Sequence, residues 1–391
     1  MKDMDMMARS LLIRGCFPGA TEAVDLDIRD GRLHAVLRAG NRTPDLGDGS
    51  ALLAPGLFDI QVNGAWGLDV QSETLSPELL HTLDARLNAC GVMHWMPTLV
   101  TDSAEALEHK CHILGGALQD ALLARHIPGI HLEGPHISPE DGPRGAHPAA
   151  HVCPPDLKLF DRLQRAAGGR IRYVTLAPEL PGALPFIRAL VAQGVVAALG
   201  HHAADAGQIR AAADAGARLC THLGNGMASK IHRHQNPLWP QLAEDRLYAS
   251  VIADLEHVPP EMLQVMLRAK GVRRIVLVSD SVSLTGMKPG RYTMFGAEVE
   301  MKRSGRVCLA DTDLLAGSSL TLPEAVRNMA RVTEMTLARA FGAASWTSAR
   351  LMGVRMPPWP PRPGRPAEFV LYPRFGETGG LNRKPLLVFN G

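Results

Sequence analysis

From residue 56 onward, short apolar runs alternate with stretches of helical periodicity. The runs are GLFDIQV (56–62), VMHWMPTLV (92–100), IPGIHLE (127–133), IRYVTLA (171–177), GVVAALG (194–200), ARLCTH (217–222), YASVIAD (248–254) and RIVLVSD (274–280). Each predicts a strand. Between several of them lie amphipathic segments that predict helices: SAEALEHKCHILGGALQDALLAR (103–125), AADAGQIRAAADAG (203–216) and PPEMLQVMLRAKG (259–271). Strand-helix alternation repeated eight times predicts an α/β chain whose parallel strands close into a TIM-like (β/α)8 barrel.

The chain ends follow a different pattern. VDLDI, the turn RDG and RLHAVL (24–37) predict a hairpin with alternating apolar positions. Beyond Asp280 the chain is strand-like around RYTMFGAEVEM (291–301), then helical from about 319 to 353. AEFVLY and PLLVFN add two late apolar runs, reached through the proline-rich stretch MPPWPPRPGRP (356–366). The expected division is a barrel over 54–355 and a small β-sandwich domain built from both chain ends, residues 1–53 and 356–391.

Bulk composition narrows the classes. The 391 residues are 46% hydrophobic and 20% charged with a net charge of +2, ordinary for a soluble globular protein. That balance gives no electrostatic case for nucleic acid or an anionic membrane. Every apolar run falls far short of the roughly 18 residues of a membrane span. The start, MKDMDMMARS, lacks the apolar stretch of a secretory signal. The six cysteines are scattered without a Cys-x-x-Cys pair, which argues against disulfides or a thiolate zinc site and for a reducing cytoplasm.

The chemistry collects at the ends of the predicted strands. Gln61 and Asn63, Glu133, His201 and His202, His222, Asp254 and His257, and Asp280 all lie there. In a barrel of this kind those positions face the catalytic mouth. Glu133, His201 and His222 make a three-ligand set suited to catalytic zinc, with one position left for water. Asp280 would then take and return a proton. The plainer alternative is that the buried histidines and carboxylate satisfy one another by hydrogen bonds.

Ordered segments then carry a resemblance. APGLFDIQVNG (54–64), GIHLEGP (129–135), RGAHP (144–148), LGHHA (199–203), THLGNGM (221–227), IADLEHV (252–258), LVSDS (277–281) and LAGSSLTLPEAVRN (315–328) resemble the amidohydrolase superfamily. Within it, they are similar to the N-acetylglucosamine-6-phosphate deacetylases. The resemblance implies hydrolysis of the N-acetyl group of N-acetylglucosamine 6-phosphate by a metal-activated water, with Asp280 as general base and acid. It implies Glu133, His201 and His222 as ligands of one divalent ion per subunit, zinc, and His147 as the group polarising the carbonyl. It implies that Asn225, Gly226 and His257 hold the sugar phosphate, joined by Arg233 from a neighbouring subunit of a homodimer.

Gln61-Val62-Asn63 stands where many amidohydrolases have His-x-His, which resembles the single-metal branch. Gln61 then serves either to hydrogen-bond the attacking water or to cap the strand. Other departures touch the substrate end. Gly224 replaces an aromatic, Leu255-Glu256 interrupts Ala-Asp-Gly-x-His, and KIHRHQNPLW (230–239) replaces Arg-Glu-Pro-Gly. Glu256 facing inward would repel a phosphate. The altered end leaves open another N-acetylated amino sugar, phosphorylated or not, or a different amide. His131, sharing a strand face with Glu133, is expected to support the site from below; His136 and His151 are expected to be structural.

Overall fold

The computed structural model describes residues 10–294, 296–373 and 385–390. Every predicted barrel run contains a strand: Leu57–Val62, Val92–Val100, Ile130–Glu133, Ile171–Leu176, Val196–Leu199, Leu219–Cys220, Tyr248–Ile252 and Ile275–Val278. They pair in chain order as one eight-stranded parallel sheet. Beyond its last strand the sheet curls back on the first, where Asn63 N donates to Ser281 O at 2.8 Å and Asp280 N to Gln61 O at 3.1 Å. Val62 and Ser281 form the parallel bridge that nearly closes the barrel. The strands are mostly apolar, with buried polar exceptions such as Asp59 and His131, because helices cover the outside while side chains fill the inside.

Local chemistry sets the helix ends. The segment predicted as one helix over 103–125 is two, Ala104–Ala117 and Ala121–His126. The break follows from Asp120, whose carboxylate accepts the free N–H groups of Leu122 and Leu123 and so starts a new helix. Asp205 and Gln208 cap Ala206–Asp214 reciprocally.

The small β domain from both chain ends is one six-stranded sheet. The tail strands Glu368–Tyr372 and Leu387–Asn390 lie beside Leu46–Ala54, followed by Leu11–Cys16, Val24–Arg29 and Arg32–Arg38. The predicted hairpin is the Val24–Arg29/Arg32–Arg38 pair. The sheet has its own core of Ile13, Leu26, Ile28, Leu53, Phe369 and Phe389. Residues 1–9, 374–384 and 391 of the expected domain lie outside the described residues.

A third unit follows the barrel's last strand. Gly290–Met294, Ala297–Met301 and Val307–Leu309 form a small antiparallel sheet. The first two strands match the expected strand-like stretch; the third is too short to stand out in the sequence. Val282, Leu284, Met294, Val299, Met301, Val307 and Ala316 give this insert a separate apolar cluster. Helices Leu322–Val332, Leu337–Ala343 and Trp346–Met352 then return the chain to the barrel.

Candidate functional site

Glu133 ends the third barrel strand, and its side chain is buried. His222 Nε2 lies 2.9 Å and His201 Nε2 3.4 Å from Glu133 Oε1, and the two imidazole nitrogens are 3.1 Å apart. His201 Nδ1 is 2.9 Å from the Pro143 carbonyl, which can only accept. That proton on Nδ1 leaves the Nε2 lone pair turned toward Glu133 and His222. A lone pair facing a buried carboxylate is favourable only with a proton or a cation between them. Ligand atoms around a zinc ion at 2.0–2.1 Å lie about 3.3 Å apart at tetrahedral corners. The three observed separations bracket that value, so these donors fit a divalent cation.

Electrostatics agree with the geometry. Burial pushes the Glu133 carboxyl up, but contacts with His201 and His222 outweigh it and hold Glu133 well below the usual carboxylate range. Burial disfavours a charged His222, yet Glu133 raises it above its ordinary value. The ligand atoms of Glu133, His201 and His147 also lie within 4.8 Å of one another. His147 differs chemically from the other two. Its Nδ1 faces Thr101 Oγ1 at 2.9 Å and the Thr101 backbone N–H at 3.4 Å. An N–H must donate, so Nδ1 accepts and Nε2 carries the proton. Burial, then the neighbouring His201, pushes the imidazole down to about 3. His147 is therefore a neutral donor, a better partner for a developing oxyanion than for a cation.

Asp280 lies beyond the eighth strand. Asn63 Nδ2 donates to its Oδ1 at 2.8 Å, leaving Oδ2 free. Burial and the charge of Glu133 push its carboxyl up to about 7. Gln61 Nε2 donates to Glu133 Oε1 at 3.1 Å, while Gln61 Oε1 is a buried acceptor without a partner. His201, His222 and Asp280 all have positive φ, at 54°, 31° and 49°. Such conformations cost non-glycine residues about 1–2 kcal/mol and turn these side chains inward at the strand ends.

One pocket is lined by Glu133, His147, His201, His222, Asn225, Gly226, His257 and Asp280 together. Asp254 Oδ2 holds His257 Nδ1 at 2.6 Å, so the other ring nitrogen serves the pocket. Gly226 has φ 58°, and a Cβ there would meet His201 Nδ1 at 2.9 Å, so only glycine fits. At Gly224 an added Cβ would meet Met262 Cε at 2.6 Å. The side chains of Met262 and Met266 fill the space beside Gly224.

Arg233 is not brought into this pocket within the single chain. It sits on an exposed loop, and its carbonyl accepts from the Trp239 indole at 2.9 Å. His232 Nδ1 accepts the His234 and Gln235 N–H groups, a loop-forming role. Glu256 turns to Arg306, with Oε2 3.7 Å from a guanidinium nitrogen. His131 bonds Thr98 and Thr175 and stacks on Tyr173, with ring centroids 3.7 Å apart. It belongs to a buried polar layer that also contains Thr221, next to His222, and it bonds no metal-site side chain. His136 packs against Phe186 and the Cys153 carbonyl.

Sequence reasoning missed Thr101, which sets the His147 tautomer, and the wall made by Asp313, Leu314 and Leu315. Thr101 directly follows a predicted strand end, a signal that could have found it. Nothing in the local sequence marks the wall.

No family model matches the chain. It is 36% identical over 319 residues to an N-acetylgalactosamine-6-phosphate deacetylase of Escherichia coli O157:H7, covering 82% of this chain and 83% of that one. It is 31% identical over 365 residues to an N-acetylglucosamine-6-phosphate deacetylase of Bacillus subtilis, covering 90% and 87%. A mutant Mycobacterium smegmatis N-acetyl-D-glucosamine-6-phosphate deacetylase, solved with N-acetyl-D-glucosamine-6-phosphate, superposes with a TM-score of 0.82 at 30% identity, covering 93% and 95%. A 5-methylcytosine deaminase from Klebsiella pneumoniae shares the fold alone, at 13% identity and a TM-score of 0.56.

Proposed function

Since the chain belongs to the N-acetylglucosamine-6-phosphate deacetylases of the amidohydrolase superfamily, we propose how its own residues perform that family's reaction. It hydrolyses the N-acetyl group of N-acetylglucosamine 6-phosphate, giving glucosamine 6-phosphate and acetate. The observation that carries the mechanism is the buried meeting of Glu133, His201, His222 and Asp280 at the barrel mouth. Glu133, His201 and His222 hold one divalent ion per subunit, assigned as zinc. When bound, such an ion polarises the acetyl carbonyl and lowers the pKa of water to about 7.

Asp280 Oδ2 takes the proton from the attacking water, because Oδ1 is occupied by Asn63. The same carboxyl passes that proton to the departing nitrogen. His147 donates Nε2–H to the acetyl oxygen as negative charge gathers there. Gln61 Oε1, the unpartnered buried acceptor, receives a hydrogen bond from the attacking water. Asn225, Gly226 and His257 receive the sugar and its phosphate, with Arg233 reaching in from the second subunit of a homodimer. We place the enzyme in the cytoplasm, a setting supported by six scattered cysteines without a Cys-x-x-Cys pair. The division into a barrel over 54–355 and a small domain from both ends is supported by the small sheet's own apolar cluster, while Leu52, Val370 and Tyr372 pack into the barrel core.

Purified protein is expected to release acetate from N-acetylglucosamine 6-phosphate, with Asp280→Asn lowering kcat by about 10²–10⁴-fold. No release from any N-acetylated hexosamine phosphate would refute the assignment. A second reading, the galactosamine epimer as preferred substrate, comes from the Escherichia coli relative, whose 36% identity equals that of the Homo sapiens N-acetylglucosamine-6-phosphate deacetylase. The kcat/KM ratio for the two epimers decides between them.

A further inference from the structure

Arg306, at the edge of the three-stranded insert, touches two parts of the pocket's surroundings at once. One terminal guanidinium nitrogen, Nη2, donates to the Asp313 carbonyl at 3.1 Å, and Asp313, Leu314 and Leu315 form one wall of the pocket. The other, Nη1, lies 3.7 Å from Glu256 Oε2. Nε donates to Cys308 Sγ at 3.3 Å, which sets the plane of the guanidinium. Glu256 directly precedes His257, and both backbone N–H groups are held by Asp254 Oδ1. A single cation thus joins the insert to the loop that presents His257.

The charges make this join consequential. Glu256 is a carboxylate one residue from an imidazole that, on the function proposed above, meets a phosphate. A free carboxylate there would weaken the binding of an anion; a paired one would not. The insert has its own apolar cluster, against which Ala146, the neighbour of His147, also packs. Leu314 and Leu315 are held by backbone pairing with Val307–Leu309, and Arg306 ties the Asp313 end of the wall.

We propose that Arg306 is a positioning and charge-balancing residue for the anion end of the pocket, neutralising Glu256 and holding the Asp313–Leu315 wall beside His257. This rests on the deacetylase reading, but its test does not need turnover. Affinity for inorganic phosphate is measured by calorimetry on the full chain and on R306A, E256Q and E256Q/R306A. One unpaired charge within a Debye length of a bound anion, partly screened, changes affinity by about five- to tenfold. R306A is expected to weaken phosphate binding by that factor, E256Q to tighten it, and the double variant to return near the wild-type value.

With substrate, R306A is expected to raise KM for the 6-phosphate while kcat stays within about threefold, and E256Q/R306A to restore KM. A purely structural role would not give that restoration. Phosphate affinity of R306A within twofold of wild type, or a double variant as weak as R306A, overturns the proposal. E256Q remains decisive if R306A does not fold: unchanged or weaker phosphate binding by E256Q also overturns it. Absence of turnover by the wild type counts against the deacetylase reading alone.

Discussion

Asp59 shows how far a single buried group can tie the site to pH. It lies two residues before Gln61 and accepts from Ser279 N at 3.2 Å and Gln61 N at 3.3 Å. Burial outweighs these bonds and pushes its carboxyl up to about 7. An acid whose folded pKa is raised binds more protons folded than unfolded between the two values. Its contribution is therefore present below the unfolded value, near 3.8, and is lost as pH rises through about 7. The loss is at most about 1.4 kcal/mol per pH unit across that window. Asp59→Asn keeps the shape and one acceptor oxygen but does not titrate. Its melting temperature relative to wild type is expected to rise from pH 5 to about pH 7 and to level off by pH 8; a constant difference would mean Asp59 ionises normally. The sequence marks Asp59 only as an interior position of an apolar run, since its partner Ser279 lies 220 residues away.

Elements that a short stretch of chain can form alone were the legible ones. All eight barrel strands announce themselves because strands buried on both faces are apolar along their length, and polar residues then mark where they end. Glu133, His201, His222 and Asp280 were visible for that reason. The Asp313–Leu315 wall and Arg306 were not, because their roles depend on a small sheet folding back over the mouth. Leu255 lies between these cases. The Ala-Asp-Gly-x-His motif that the segment resembles implies a special backbone there, and the structure gives Leu255 φ 69° with its side chain packed partly against the barrel core. The left-handed conformation costs a leucine about 1–2 kcal/mol. Half-burying the side chain returns roughly 1 kcal/mol, so packing offsets most of the strain. Leu255→Ala loses the packing and keeps the strain; Leu255→Gly loses both. Glycine ordinarily trails alanine by about 0.5–1 kcal/mol through unfolded-state entropy. We therefore expect the glycine variant to be the more stable of the two by roughly 0.5–1 kcal/mol in urea melts, inverting the usual order. Alanine proving the more stable would mean that the loop relaxes out of the left-handed region.

At the scale of the whole molecule, the question is whether one chain makes a complete site. The residues proposed as metal donors, proton carrier and oxyanion donor all line one pocket at a single barrel mouth. The proposed phosphate end does not: within the chain, Arg233 stays on an exposed loop beside Ile231 and Trp239, which are 40% and 49% exposed. Exposed apolar side chains flanking a cation suit a surface covered by a second subunit. In a two-fold dimer the same loop would serve both sites reciprocally, each barrel receiving the other's Arg233. That geometry has a consequence a monomer lacks. Arg233→Ala and Asp280→Asn homodimers would each be impaired at low substrate. A mixed dimer would own one site that combines an intact Asp280 with an intact partner Arg233. After subunit exchange at equal concentrations, half of the dimers are mixed and one of their two sites is whole, so activity should recover to about a quarter of wild type. Activity no higher than the average of the two parents would place Arg233 outside the neighbouring site, and would leave His257, Asn225 and Gly226 to hold the phosphate within one chain.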